Sequence, residues 1–289
     1  EDGIRDIGVT GVQTCALPIC VIMPARNVGT MIGSVLRSFS PETWSVISTI
    51  AIIDNGSEDD TIEQIQGFLE ATPAAGSKVL VLENGRNIGY GGSIKRGFRH
   101  HADTDCSFVA ILHADDQCDP NAVIDRLLHA ALKVPSTDVV LGVRVSKPQP
   151  GGSSFNSYRS FGNGAVSLAA RLLVGSRAGD INTPITLVRR EAVKRLPIDQ
   201  FTSGILLHPQ LNTVLTTEGR FPFAEIEVQW WDASHTERRP LNRMGIAILR
   251  GFATWMVWRR LLRRDVGAVL DRMNRLEVRE DYRTPATEA

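Results

Sequence analysis

Apolar positions along the chain fall into two kinds of run: short β-branched stretches, and longer ones with apolar residues three and four apart. Cys20-Val21-Ile22-Met23-Pro24 reads as a short buried strand ended by Pro24. Val28 to Phe39 then carries Met31, Ile32, Val35, Leu36 and Phe39 at helical spacing. Ile47 to Ile53 predicts a second strand, Glu58 to Leu69 a helix, and Lys78 to Leu82 a third strand. The glycine-rich Asn87 to Ser93 opens a helix through His101, and Phe108 to Leu112 predicts a fourth strand. Asp119 suits an N-cap and Pro120 the first position of a helix to Lys133, followed by a strand from Asp138 to Val143. Strands and helices alternating over short connections predict an α/β fold, a mostly parallel Rossmann-like sheet with helices on both faces. Ser157 to Val174 and Leu206 to Thr217 add helices; Ile185 to Val188 and Phe223 to Trp231 add strands. Lys147 to Ser154, rich in Pro, Gly and Ser, is a loop longer than usual and a candidate lid.

Polar residues gather where strands end: Asn27, Asp54-Asn55, and His113-Ala114-Asp115-Asp116-Gln117. In a parallel sheet these ends share one edge, the edge where ligands bind. Asp115, Asp116 and Gln117 are hard oxygen donors of the kind Mg²⁺ or Mn²⁺ prefers, with room left for substrate phosphates. A carboxylate such as Asp54 can accept from the N–H groups of a nucleobase. The glycines from Gly89 to Gly92 permit close backbone approach, and amides at that helix start are placed to meet anionic groups. The segment is neither a P-loop nor a dinucleotide fingerprint after the first strand, so the nucleoside-triphosphate and dinucleotide readings lose support.

Composition changes this picture little. A hydrophobic share of 43% across 289 residues supports a large core. Lys+Arg and Asp+Glu balance at 32 each, giving no argument for nucleic acid. Cys15, Cys20, Cys106 and Cys118 have neither metal-type spacing nor a disulfide framework, which fits a reducing, cytoplasmic setting. Residues 1–19 lack periodicity, and Gly11 to Ile19 resembles a translated adapter remnant, so they are set apart from fold reasoning.

Five motifs in order resemble the family 2 glycosyltransferases of GT-A fold, and within them the dolichyl-phosphate mannose synthase-like branch. They are Val21 to Asn27, Ile53 to Thr61, Asn87 to Gly92, His113 to Pro120, and Val139 to Arg144. The resemblance implies inverting transfer of a sugar from a nucleoside-diphosphate donor, with Mg²⁺ or Mn²⁺ bridging the diphosphate. It makes Pro24, Asn27, Asp54, Asn55, Asn87, Gly91 and Asp116 candidate donor-binding residues. Asp115, Gln117 and His113 are the candidate metal ligands, and Asp115, Asp180 and Arg144 the candidate catalytic residues. The implied domain is 20–235, with a helical basic segment at 236–277 and a tail at 278–289.

Departures from the family pattern bear on the substrate. His113 stands where the usual Asp-x-Asp-x-Gln begins, removing one negative charge; it is read either as a ligand or as a supporting group. Thr186 stands where an arginine would grip phosphate. Near Leu206, where a carboxylate base is expected for a hydroxyl acceptor, the chain reads Leu207-His208-Pro209-Gln210. The missing acid favours an acceptor that is already anionic, a polyprenyl phosphate, over a saccharide hydroxyl. Arg144, Arg159, Arg238 and Arg239 are the available cations. Two competing readings are a sugar-1-phosphate nucleotidyltransferase and a sugar-nucleotide-binding protein of little activity. Met244 to Trp258, with Phe252, Trp255 and Trp258 ahead of Arg259, Arg260, Arg263 and Arg264, is too short to span a bilayer. It suits the inner face of the cell membrane, or packing on the catalytic domain or on a second subunit of a homo-oligomer.

Overall fold

The computed structural model describes residues 17–146, 157–231 and 241–276. Residues 1–16 of the leader, the candidate lid, Arg238, Arg239, the Arg159 side chain and the tail lie outside them. Seven strands form one sheet: β1 (Ile19–Ala25), β2 (Ile47–Asp54), β3 (Val79–Glu83), β4 (Phe108–Ile111), β5 (Val139–Ser146), β6 (Thr186–Arg189) and β7 (Phe223–Trp230). Their order is β3-β2-β1-β4-β6-β5-β7, and only β6 runs against its neighbours. Helices α1 (Gly29–Ser38), α2 (Pro41–Val46), α3 (Thr61–Ala71) and α4 (Pro73–Gly76) precede β3. They are followed by α5 (Tyr90–His101), α6 (Pro120–Lys133), α7 (Ser157–Leu173), α8 (Arg190–Val193) and α9 (Leu207–Thr217). The chain closes with α10 (Leu241–Trp255), a π-helical turn (Met256–Leu261) and α11 (Val266–Leu276).

The period of two along each strand builds a core on each face. Cys20, Ile22, Ala51, Ile53, Val109 and Ile111 point to one cluster. Val21, Met23, Ile50, Ile52, Phe108 and Ala110 point to the other. Strands buried on both faces are what a parallel sheet requires. Asp119 caps α6 by accepting from the Asn121 amide at 2.9 Å, with Pro120 at the first position as its sequence predicts. The short helices α2, α4 and α8 carry too little periodicity to be read in advance, whereas α11 falls within the helical segment expected at 236–277.

Of the readings of the C-terminal aromatic face, packing on the catalytic domain is the one that Phe252 and Trp255 follow. Phe252 and Trp255 are each 1% exposed and join the core that holds Phe201, Leu207, Leu211 and Leu270. They bury the largest apolar area of α10, so the protein's own core takes them rather than a lipid surface. The segment after residue 240 shares the main core. No helix among the described residues is long and apolar enough to cross a membrane.

One core group is chemically exposed to acid. His101, at the end of α5, is 0% exposed and neither ring nitrogen has a partner. Burial, reinforced by the His100 charge, lowers its pKa from 6.5 to about 4. Between those values the unfolded chain binds a proton that the folded chain refuses. Stability is therefore full above about pH 6.5 and falls toward pH 4, by on the order of 3 kcal/mol from this group. Urea unfolding at about pH 7 and about pH 5 should show that loss, and His101→Phe should flatten the difference. An unchanged slope in the variant would assign the acid sensitivity elsewhere.

Candidate active site

The winding of the sheet reverses at β1, which has β2 on one side and β4 on the other. Crevices at such points are where α/β proteins bind ligands. Pairing of β1 with β4 stops at Ile22 and Ile111, whereas pairing with β2 continues to Ala25 and Asp54. The Ala25 carbonyl accepts from the Asn55 amide, so Ala25 faces β2 and Pro24 faces the side that β4 has left. A proline there forfeits no ladder hydrogen bond.

Asn27, Asp54, Asn55 and Asn87 lie on the β2 side of this crevice, where Asn27 and Asp54 share Ser57 and Asn55 bonds Asn87. Asn27 adopts a left-handed conformation (φ 51°), its amide donating to Ser57 Oγ and its Oδ1 accepting from the Glu58 amide. Asp54 is buried, and its carboxylate accepts from the Ser57 hydroxyl at 2.5 Å and the Gly56 amide at 3.0 Å. Asn55 donates to Asn87 Oδ1 at 2.8 Å and accepts from Asn84 Nδ2 at 3.1 Å and the Ile88 amide at 2.9 Å. These side chains fix the shape of the two loops. Asn84, which anchors this ladder and receives Arg96, carried no motif that would single it out.

Gly91 has a different role from the one its sequence suggests. Its amide and that of Gly92 donate to the carbonyls of Gly204 and Ser203, not outward to a ligand. A Cβ on Gly91 would lie 2.5 Å from the Thr202 carbonyl oxygen. The glycine is needed because α5 begins against the 202–204 segment. Gly91→Ala should cost about 1–3 kcal/mol of stability, measurable by chemical denaturation.

The other side of the crevice holds the acidic loop. After β4 the chain presents His113, Asp115, Asp116 and Gln117 in a loop that Trp231 secures. The Trp231 indole N–H donates to the Asp116 carbonyl, and its amide donates to the Gln117 carbonyl at 3.1 Å. Asp116 takes a left-handed conformation (φ 53°) and faces solvent. Partial desolvation and the Asp115 charge raise its carboxyl above the usual carboxylate value. Gln117 is buried, and its side chain makes no hydrogen bond among the described residues.

Asp115 Oδ2 lies 3.4 Å from His113 Nδ1, and its Oδ1 is buried without a partner. His113 Nε2 is 3.0 Å from the Tyr90 hydroxyl, which is also 2.7 Å from His208 Nε2. With both imidazoles neutral, one pattern satisfies all three contacts, since a phenol has one proton to give. The His113 Nδ1–H donates to Asp115, the Tyr90 O–H donates to His113 Nε2, and the His208 Nε2–H donates to the Tyr90 oxygen. The same pattern leaves His208 Nδ1 as a bare nitrogen, and it is the atom found buried without a partner. Burial, with the Arg144 charge nearby, pushes His208 well below its ordinary value and keeps it neutral. Burial and the Asp115 charge push the Tyr90 phenol up. Both ring nitrogens of His113 are thus engaged within the protein. Tyr90 was visible in the sequence as part of the glycine-rich motif, but nothing there joined it to either histidine.

Arg144 and Asp180 close the site. The guanidinium donates through Nε to Oδ2 at 2.6 Å and through Nη2 to Oδ1 at 3.0 Å, leaving Nη1 without a hydrogen bond among the described residues. Arg144 lies over the Trp230 ring at 5.7 Å, and the ring meets His113 edge-on at 5.6 Å. Asn212 of α9 holds the segment carrying Asp180 by donating to the Ile181 and Thr183 carbonyls. Gln210 accepts from the Thr202 amide and donates to Asn274, a structural link between α9 and α11. Thr186 is 0% exposed in β6 and has no hydrogen-bond partner for its hydroxyl.

A switch-point crevice with a carboxylate loop on one side and a loop-shaping Asp/Asn ladder on the other defines a GT-A-type fold. The model of glycosyl transferase family 2 matches residues 20–196, and the chain belongs to that family of glycosyltransferases. Among curated protein sequences nothing matches the chain. Solved structures of glucosyl-3-phosphoglycerate synthase from Mycobacterium tuberculosis share the fold. The complex with Mn²⁺, UDP and glucosyl-3-phosphoglycerate has a TM-score of 0.59 at 21% identity, covering 84% of this chain and 79% of that one. The complex with Mn²⁺, UDP-glucose and glycerol 3-phosphate gives a TM-score of 0.58, with the same identity and coverage. So does the complex with Mg²⁺ and UDP.

Tyr90→Phe removes the hydroxyl that serves both histidines and leaves two imidazole nitrogens without their partner. The expected loss is about 1–3 kcal/mol in urea unfolding, and a neutral result would show that the chain of hydrogen bonds does not form.

Proposed function

We propose that this glycosyltransferase moves a sugar, with inversion, from a nucleoside-diphosphate donor to an acceptor that carries a phosphate. The observation that carries the reading is the unpartnered, buried Asp115 Oδ1 beside the switch-point crevice. A desolvated carboxylate oxygen with nothing to accept from is costly unless a ligand meets it. That oxygen fits a divalent cation, as does the amide oxygen of Gln117. No group of three His, Cys, Asp or Glu side chains among the described residues could hold a metal alone. Mg²⁺ or Mn²⁺ would therefore draw its remaining ligands from the donor diphosphate, in keeping with the Mn²⁺- and Mg²⁺-bound UDP complexes of the structural neighbours. When bound, the cation neutralises charge that develops on the leaving nucleoside diphosphate. His113 is better suited to orienting Asp115 than to ligating, because its two nitrogens already serve Asp115 and Tyr90.

The acceptor side follows from charge. The bidentate Asp180 fixes the Arg144 guanidinium over the Trp230 ring, and Nη1, without a hydrogen bond among the described residues, can meet an anionic oxygen. The one nitrogen that His208 leaves open is buried, and Gln210 is held in structural bonds, so neither is placed to deprotonate a hydroxyl. A phosphate acceptor attacks without a base. A polyprenyl phosphate meets this requirement. A small phosphorylated acceptor is the second reading, favoured by the phosphoglyceric acid and glycerol 3-phosphate in the neighbours' complexes. Asp54, held at the end of β2, and Pro24 border the space for the nucleoside.

Nucleoside diphosphates with Mn²⁺ should raise the melting temperature of the wild type, since a ligand bound only by the folded state stabilises it. Asp115→Asn should abolish both that Mn²⁺-dependent shift and sugar transfer while leaving the unliganded melting temperature within a few degrees. Full transfer activity in the variant would overturn the metal-site assignment. Parallel assays with a polyprenyl phosphate and with 3-phosphoglycerate would separate the two acceptor readings.

A further inference from the structure

The chain is electrically neutral overall, with 32 basic and 32 acidic residues. Yet no Asp or Glu occurs from Ser157 to Gly179 or from Leu241 to Arg264, the segments that form α7, α10 and the π-helical turn. The two helices pack side by side, and Arg260 of the turn donates to the Leu173 carbonyl at the end of α7 at 3.2 Å. Leu172 and Leu261, the immediate neighbours of those two residues, are 70% and 68% exposed. Leu168 on α7, and Ile246, Leu249 and Leu262 around α10 and the turn, are also exposed. Arg171, Arg250, Arg260, Arg263 and Arg264 stand exposed among them. Isolated surface leucines need no explanation, but this many on adjoining elements, interleaved with arginines and free of acids, do.

We propose that this face docks on an anionic lipid surface. The apolar side chains would enter the acyl boundary while the guanidinium groups meet lipid phosphates, an arrangement suited to helices lying in the plane of an interface. It is not the face that the aromatic residues suggest. Phe252 and Trp255 sit in the core on the inner side of α10, so Ile246, Leu249 and Val257 are turned outward on the other side. Charge selects the occupant. A second copy of the chain would bring its own arginines against these, whereas an anionic bilayer complements all of them and covers the leucines as well. Acids beside these elements are already engaged: Glu218 is bound by Arg259 through two hydrogen bonds, Asp265 accepts from the Ala268 amide, and Glu225, which faces Arg171, accepts from the Gly179 amide. The proposal does not depend on which acceptor the enzyme uses.

Vesicle co-flotation of the full chain tests it without any sugar transfer. The protein should float with phosphatidylglycerol vesicles at about 0.1 M salt, and much less with phosphatidylcholine or at about 0.5 M salt. Leu172→Glu combined with Leu261→Glu should weaken partition roughly tenfold or more. Both positions are solvent-exposed, so folding should be kept, as circular dichroism and an unchanged Mn²⁺-dependent response to nucleoside diphosphate would verify. Arg263→Gln with Arg264→Gln should reduce binding to anionic vesicles and its salt sensitivity together. Failure of the wild type to float with anionic vesicles at low salt would overturn the proposal. So would wild-type flotation by the double leucine variant, or a dimer in light scattering that this variant dissolves.

Discussion

The site depends on the separation of two strands that begin as neighbours. β1 and β4 pair for four residues and then part, while β1 stays joined to β2 to the end of its length. That opening exists because the connection after β4 turns away through Leu112, whose amide makes a last bond to the Ile22 carbonyl. Pro24 faces the opening with no N–H to satisfy. Everything polar at this edge is then arranged around a space that backbone hydrogen bonding cannot fill.

The two sides of the opening are braced differently. On the β2 side, short amide and hydroxyl bonds among Asn27, Asp54, Asn55, Ser57 and Asn87 lock the loops to one another. On the β4 side, aromatic and ionic contacts do the work, with Trp230 and Trp231 reaching over from β7 to hold His113, Arg144 and the Asp116 carbonyl. Rigid hydrogen-bonded loops suit recognition of a fixed shape. An acidic loop pinned at its neighbours, with one carboxylate oxygen left open, suits a charge that arrives with the substrate.

Much of the fold was legible because both faces of the sheet are buried, so each strand shows as an apolar run closed by polar residues. Asp119-Pro120 marked the start of α6 because capping is local chemistry. What could not be read depends on contacts between residues distant in sequence. Tyr90, His113 and His208 are separated by 23 and 95 further positions, yet meet at one hydroxyl. Gly91 announced a close approach, but whether a ligand or the 202–204 segment came close was a question only packing could answer. The aromatic residues of α10 marked a strongly apolar face correctly; its partner, core or lipid, is set by where α9 and α11 lie.

The reversed direction of β6 has an evolutionary corollary. Because that strand descends from the rim, the Asp180 segment reaches the crevice before its strand. The loops after β1 and β2 and the elements carrying Asp180 and His208 therefore belong to separate stretches of chain, which meet where Tyr90 contacts His208 and where Gly91 and Gly92 donate to the Gly204 and Ser203 carbonyls. Inheritance can remodel one stretch while the other keeps its own hydrogen bonds.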